Sequence, residues 1–594
     1  MLQPMLPTLS YDIPTGEDWI YEVKYDGFRA LLHWTEDGVT LMSRNGNDLS
    51  DRFPEIINEF SKQTSSVKES LPLLLDGEVC ILNTPFQSHF PLLQKRNRMR
   101  SEQSIAQAAE QRPATFLAFD LLKEKGKSYT NSPYHERREM LVEWKHCVHV
   151  VDSYSDAREV QDLVFLHRGE GLVAKNKKSL YKEGERSEDW IKIKNWRTIQ
   201  AFLTAYKPEN GYFTASVYNG DNIVDAGSVK HGLSTEDQQT LQTFFTNKGE
   251  KSGKVYTLEP SICVGIHCLH AQKNDLREPM FSSFLLELSP EECTREQIEW
   301  DLALFPHVDY SNTEKILWKD SHFQKRHLLL YLRKIAPYML PFLKDKKLTV
   351  IRFPDGIDQE SFFQKHLPDY APDYVNRIEG SEETYMVCND LNSLLWHGNQ
   401  GAIEYHIPFG TAQASAPDEI VFDLDPPERE SFSLAIKAAN LLKIIFDRLN
   451  LEAFVKTSGG KGMQIHIPIQ AGSLTYGETR LFTEHVAQLL INQEPDLFTI
   501  ERLKKKRGNR LYIDYVQHAE GKTIVAPYSP RGREGASVAT PLYWSEVNES
   551  LDPSDFHIGN VSERVETRGC PFASYQKARE TQDLQLVKEL IEED

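Results

Sequence analysis

The sequence lacks any run of roughly 18 apolar residues, the length a helix needs to cross a bilayer, so no membrane association is expected. Its first residues, Met1-Leu2-Gln3-Pro4-Met5, lack a basic region followed by an apolar core, so no secretory leader is expected. No Cys-x-x-Cys occurs among the seven cysteines, which stand scattered at 80, 147, 263, 268, 293, 388 and 570. An odd, dispersed set argues against a disulfide framework or a zinc site and points to reduced thiols inside a cell. Cys263 and Cys268 lie close in sequence, but their alternating neighbours suit the core of a strand. Positive charge is short too: 68 Lys and Arg against 87 Asp and Glu give a net charge of −19. Local patches must then set any field for a polyanion. Two runs supply them, Lys95-Arg96-Asn97-Arg98-Met99-Arg100 and Lys504-Lys505-Lys506-Arg507-Gly508-Asn509-Arg510, and they keep nucleic acid open as a partner.

What is present is globular: 40% of the residues are hydrophobic and 26% charged. A chain of 594 residues exceeds one core, and about three or four domains are expected. The first chemical signal is Tyr21-Glu22-Val23-Lys24-Tyr25-Asp26-Gly27-Phe28-Arg29. Val23 and Tyr25 fit a short strand, and Gly27 permits a tight turn or a close approach to a sugar or phosphate. A lysine there can attack phosphorus as a neutral amine once burial or nearby cations lower its pKa. Asp26 can orient that amine, and Arg29 can hold a phosphate oxygen.

Strands are expected over Ile20 to Val23, Phe28 to Trp34, Val39 to Ser43, Leu73 to Leu82 and Leu117 to Leu122, with a helix capped by Asp51 over Asp51 to Glu59. Later come Glu170-Gly171-Leu172-Val173-Ala174-Lys175 and Trp190-Ile191-Lys192-Ile193-Lys194, where alternation puts Lys192 and Lys194 on one face. In this order the segments resemble the nucleotidyltransferase motifs of ATP-dependent DNA ligases. The resemblance implies an ATP-grasp-like ligase domain over residues 1–195, with Lys24 taking AMP from ATP as a phosphoramidate. It implies Glu78 and Glu170 on the ribose or a divalent metal, and Phe119 stacked on adenine. Lys192 and Lys194 would neutralise the triphosphate, Arg29 and Arg44 would hold phosphate, and Glu22 and Lys175 would complete the nucleotide pocket. Charge clamps of this kind supply most of the stabilisation in such transfers.

Residues 196–300 carry short alternating strands punctuated by Gly211, Gly220, Gly227 and Gly232, the pattern of a small barrel. Val224 to Gly232 and Leu276-Arg277-Glu278-Pro279-Met280-Phe281 resemble the OB-fold domain that follows a ligase catalytic domain. That resemblance implies Arg277 on pyrophosphate during adenylation. An acidic stretch from about 295 to 310 marks the next boundary.

Residues 305–594 mix helices near Phe323 to Ile335 and Leu434 to Leu449 with strands near Leu348, Glu419, Ala453 and Met463, giving an α/β domain within a multidomain α+β chain. In Val421-Phe422-Asp423-Leu424-Asp425-Pro426, Asp423 and Asp425 face one way, and Asp514 lies on a second alternating strand. Three such carboxylates suit two divalent metals, one activating a 3′-hydroxyl and one on a triphosphate. Lys456-Thr457-Ser458-Gly459-Gly460-Lys461-Gly462 lacks Walker A spacing, yet it can form a phosphate nest. Arg531 and Arg533 stand in a nearby turn segment.

This half resembles the archaeo-eukaryotic-primase-like polymerase domain of bacterial ligase D, the non-homologous end-joining family, in the Bacillus-type order of ligase then polymerase. No residues remain for the phosphoesterase domain that other members carry. The resemblance implies metals (Mn2+ or Mg2+) on Asp423, Asp425 and Asp514, and NTPs or dNTPs on Ser458, Lys461, Arg531 and Arg533. It also implies a recessed 5′-phosphate on Lys315 and Lys325, and template packing by Phe362 and Phe363. Relatives have histidine where Gln464 stands, so Gln464 or His466 takes that place; His406 is a weaker candidate. The implied partners are DNA ends, nicks and gaps and the bacterial Ku protein, in a nucleoid-associated cytoplasmic setting. Two other readings stay open: a non-catalytic end-binding scaffold, and an RNA-ligase or capping-type transferase in the first half.

Overall fold

The computed structural model describes residues 2–272, 275–306, 308–380 and 383–592. They fall into two compact units divided between Phe305 and Pro306.

In the first unit, one sheet runs in the order Leu6–Leu9, Arg186–Lys194, Gly171–Asn176, Trp19–Lys24, Ser153–Tyr154. A second is built on Thr115–Glu124, Leu73–Cys80, Phe28–Trp34 and Val39–Ser43. Alternation in Phe28–Trp34 sends Ala30, Leu32 and Trp34 to one core and Leu31 to another, so the middle of this strand is buried on both faces. The helix Pro54–Val67 lays Ile56, Phe60 and Val67 on the first of those cores. It begins at Pro54, a residue pre-set for a first turn, and Asp51 lies in a preceding 3-10 turn and does not cap it.

Seven strands between Arg197 and Phe284 form an antiparallel sheet around a core with Phe202, Phe213, Val264 and Ile266. Turns at Gly211 (φ +74°) and Gly220 (φ +60°) need the left-handed backbone that glycine adopts freely. The acidic stretch that marks the expected boundary opens with the helix Arg295–Leu302, which packs on this sheet through Ile298, and Asp301 accepts from the Gln200 amide at 3.2 Å.

The second unit centres on a six-stranded sheet, ordered Phe498–Thr499, Leu511–Asp514, Glu419–Asp425, Met463–Pro468, Phe454–Thr457, Pro541–Leu542. Ile420, Phe422, Leu424, Ile465, Ile467, Val455 and Ile513 point to a core covered by the helices Phe432–Arg448 and Tyr476–Gln493. The period of two therefore delivers Asp423, Asp425, Asp514, Gln464 and Lys456 to the opposite face. A four-stranded sheet of Phe362–Gln364, Thr349–Arg352, Ala402–Pro408 and Thr523–Val525 completes the unit, with the helix Lys325–Leu343 continuing through Pro337 and Pro341 past the expected end at Ile335.

Candidate active sites

In the first unit, strand register assembles the site. Lys24 pairs opposite Gly171, and Gly171 opposite Lys194; Glu22 pairs opposite Val173, and Val173 opposite Lys192. Glu22, Lys24, Lys192 and Lys194 thus share a face. Gly171 is required by contact: a Cβ there would lie 2.1 Å from the Ile193 carbonyl oxygen. That close packing sets Glu170 beside Lys24, and the Lys24 Nζ to Glu170 Oε2 distance is 2.5 Å.

The expected depression of the Lys24 pKa is not what the structure holds. Burial pushes it down, but Glu170, Glu78 and Asp26 together raise it above the ordinary lysine value. The carboxylates bear the counterpart: burial pushes Glu78 up to about 8 and raises Asp26. Lys192 is lowered by burial and by Lys194 and Lys24. Arg277 reaches in with Nη1 and Nη2 donating to Asp26 at 2.5 and 2.6 Å, its guanidinium 3.8 Å from the Phe90 ring centre. Lys194 pairs with Glu278, the next residue.

The same face continues into a buried charged cluster. Lys175 is fully enclosed, 2.7 Å from Glu22, with Nζ 4.4 Å from the Trp190 ring centre and 4.5 Å from that of Phe119. Tyr134 donates to Glu22. Arg29 does not extend free toward a phosphate: Nε and Nη2 donate to the buried Asp76 at 3.0 and 2.6 Å, and the guanidinium lies 5.1 Å from the Phe119 ring centre. Arg44 donates its amide to the Arg29 carbonyl and lines a cleft of about 440 Å³ with Gly27, Glu78 and Asn97. Gly27 makes its close approach to protein, since a Cβ would lie 2.3 Å from the Val79 carbonyl oxygen. The first basic run is partly structural, with Arg96 buried and its Nη2 donating to both carboxylate oxygens of Glu55.

In the second unit, four residues stand in one row across four strands: Asp514 opposite Asp423, Asp423 opposite Gln464, Gln464 opposite Lys456. Burial, with Asp514 and Asp425 nearby, raises Asp423 to about 6, against the hydrogen bond from Gln464. Asp425 is balanced differently, by Lys461 at 3.2 Å and Arg507 at 3.5 Å. The expected three-carboxylate cluster is therefore not closed: among the described residues no three acidic, histidine or cysteine side chains converge closely enough to hold a metal as they stand. Like charges repel, and here local cations and an amide relieve them.

Ser458, Lys461, Gln464, Arg531, Arg533 and His406 line one cleft of about 230 Å³ with Asp423 and Asp425. The phosphate nest is internally satisfied: the Gly460 and Gly462 amides both donate to Ser458 Oγ at 3.2 Å. Lys461 donates to the carbonyls of Pro426 and Pro427, and Arg531 to that of Ser458. Arg531 also lies 3.2 Å from Glu404, which pairs with His406 and is held down at about 2 despite burial. His466 is not in the cleft. Its Nδ1 lies 2.8 Å from the buried Glu419, which also pairs with Lys346 and accepts from Tyr575.

Lys315 and Lys325 come together where a short hairpin closes, the Lys325 amide donating to the Lys315 carbonyl; burial and Lys315 push the Lys325 ammonium down to about 8. Phe362 and Phe363 are exposed on an edge strand, Phe363 by 71%.

A family model for the ATP dependent DNA ligase domain matches residues 4–194, and one for the LigD primase-polymerase domain matches residues 324–572. The bifunctional non-homologous end joining protein LigD of Bacillus subtilis is 40% identical over 600 residues, covering 98% of each chain. The chain belongs to the LigD family. The multifunctional LigD of Pseudomonas aeruginosa is 25% identical over 98% of this chain and 73% of its own. The solved polymerase domain of Mycobacterium tuberculosis ligase D in complex with DNA is 28% identical, covers 45% of this chain and 96% of its own, and has a TM-score of 0.42. In this chain an ATP-dependent DNA ligase domain precedes a primase-polymerase domain. Among the described residues no helix is long and apolar enough to cross a membrane.

Tyr134 and Tyr181, which donates to Asp76 at 2.6 Å, carried no signal in the sequence, while Asp76, Trp190 and Lys456 stood inside quoted segments without a role of their own. They acquire meaning through partners distant in sequence.

Proposed function

We propose that the first unit seals DNA through a lysyl-AMP at Lys24 and that the second adds nucleotides at Asp423, Asp425 and Asp514. Together they would fill and close breaks with Ku, on ends, nicks and gaps bearing a 5′-phosphate. The observation that carries the ligase assignment is the Lys24 ammonium on Glu170, on a face shared with Lys192 and Lys194. The lysine must lose its proton before attacking phosphorus, and the carboxylates around it are the groups through which the proton can leave. Lys192, Lys194 and Arg277 are the cations for the triphosphate and the departing pyrophosphate. Phe119, beside the Lys175–Glu22 pair, offers a ring for adenine.

In the second unit the carboxylate oxygens are the hard donors that Mg2+ or Mn2+ prefers. Two divalent ions drawing Asp423, Asp425 and Asp514 together would supply the chemistry, one activating a primer 3′-hydroxyl and the other steadying the triphosphate and the leaving pyrophosphate. Ser458, Lys461, Arg531 and Arg533 would hold the incoming NTP or dNTP, Gln464 rather than His466 lying next to Asp423.

The deciding experiment supplies ATP labelled at the α-phosphate with a divalent metal to wild type and Lys24→Ala, after pyrophosphate pretreatment to strip resident AMP. Label on wild type alone supports the ligase assignment. No label on either would favour a non-catalytic scaffold. Sealing of an RNA nick in preference to a DNA nick would favour the RNA-ligase alternative.

A further inference from the structure

Lys456 has no assigned part in this chemistry, yet its burial demands a reason. It is fully enclosed, and lysine is almost never so unless paired. Among the described residues no carboxylate lies within ion-pair distance of it. Its Nζ donates instead to a neutral acceptor, Gln464 Oε1, at 2.5 Å. The other end of that amide, Nε2, donates to Asp423 Oδ1 at 3.2 Å. Strand register fixes the row, because Lys456, Gln464 and Asp423 are direct partners on three adjacent strands.

An amide has two nearly isosteric ends of opposite character, and its neighbours decide which way it points. Burial pushes Lys456 down to about 7, and below that pH it is an ammonium, which can only donate and so admits only the oxygen of Gln464. The NH2 group is then turned to Asp423, where an ionised carboxylate can only accept. Reversed, the amide oxygen would face a carboxylate oxygen and the NH2 an ammonium, two repulsive contacts.

We propose that Lys456 positions Asp423 by fixing the direction of the Gln464 amide. One oxygen of Asp423 is held by the NH2 group, and the other stays available toward Asp514 and the cleft. Lys456 touches neither substrate nor Asp423; it acts only through Gln464. Partners that hydrogen-bond a metal-binding carboxylate, the place Gln464 holds here, commonly set its affinity by 10- to 100-fold, and Lys456 acts through that partner. The proposal rests on the polymerase reading of the second unit.

The test uses the full chain as wild type, Lys456→Met, Lys456→Arg, Gln464→Met, the Lys456→Met/Gln464→Met double variant, and Asp423→Asn. Nucleotide addition is measured on gapped, 5′-phosphorylated DNA, and Mn2+ binding by electron paramagnetic resonance with that DNA and a non-reacting nucleotide. Lys456→Met should lower kcat and Mn2+ affinity by about 10- to 100-fold, leaving nucleotide KM within about threefold. Lys456→Arg, which still only donates, should restore both to within about threefold. The double variant should be no worse than either single one, because both remove the same link. Wild-type kcat and Mn2+ affinity in Lys456→Met, or multiplying effects in the double variant, would overturn the proposal. Should Lys456→Met fail to fold by its melting curve, Lys456→Leu takes its place. It presents no donor to Gln464, so it should show the same losses, and wild-type values would again overturn the proposal. Failure of the polymerase reading looks different: wild type would then add nucleotides no faster than Asp423→Asn.

Discussion

Arg277 donates two hydrogen bonds to Asp26, two residues beyond Lys24 and far from it in sequence. The guanidinium is also the counter-charge that keeps buried Asp26 from rising further. The contact joins the segment carrying Arg277 to the turn that follows the nucleophile. Arg277→Ala should slow formation of the lysine-AMP adduct by about 100-fold, the usual scale for losing a donor at developing charge. Sealing of a nick that already carries AMP should fall by less than about tenfold, since no pyrophosphate leaves in that step. Equal losses in the two assays would remove Arg277 from the pyrophosphate role.

Gly171 offers a cleaner test of how the fold places Glu170. A methyl group there collides with the Ile193 carbonyl, and backbone cannot yield as a flexible side chain can. Gly171→Ala should cost about 1–3 kcal/mol of stability, as overpacking does. Lysine adenylation, measured per folded molecule, should fall at least about tenfold because Glu170 moves off Lys24. Unchanged adenylation in the folded fraction would mean that the Lys24–Glu170 pair is dispensable.

Arg29 divides a phosphate role from a structural one. Its fork is taken by Asp76, which is fully buried and also accepts from Tyr181 at 2.6 Å. Removing one partner of a buried pair leaves the other uncompensated, typically at about 3–5 kcal/mol. Arg29→Ala should therefore lower the melting temperature of the ligase unit, as seen by calorimetry. If Arg29→Ala melts like wild type and loses only ATP binding, the side chain serves phosphate and its Asp76 pairing carries little stability.

These cases mark how far the sequence carries. Asp423, Asp425 and Asp514 were legible because a period of two decides which way a strand residue faces, and needs no partner strand. Lys24, Glu170 and Lys192 were legible as ordered motifs. The pairing of Arg29 with Asp76 was not legible, because it depends on strand pairing 47 positions away. Lys456 was passed over for the same reason: the row Asp514, Asp423, Gln464, Lys456 exists only once register is set. The Gln464 or His466 alternative turned on partners as well, since both lie on one strand face and only Glu419 draws His466 away. Some signals were present and unread. Thr475 and Glu478 form a capping box at the start of the helix Tyr476–Gln493.

Lys325 supplies a pH test of the 5′-phosphate reading. Burial and the adjacent Lys315 push its ammonium down to about 8, so it is charged at pH 7 and largely neutral by pH 9. A bound phosphate draws that value back up, so binding and protonation assist each other. The preference of the polymerase unit for a gap with a 5′-phosphate over one with a 5′-hydroxyl should therefore shrink as pH rises from about 7 to about 9, across the lowered lysine value. Lys325→Arg keeps its charge throughout this range and should hold the preference flat, whereas Lys325→Ala should show little preference at any pH. Phosphate itself is fully ionised well before pH 9, so its own titration cannot weaken binding there. A preference that falls equally in wild type and Lys325→Arg would place the responsible group elsewhere.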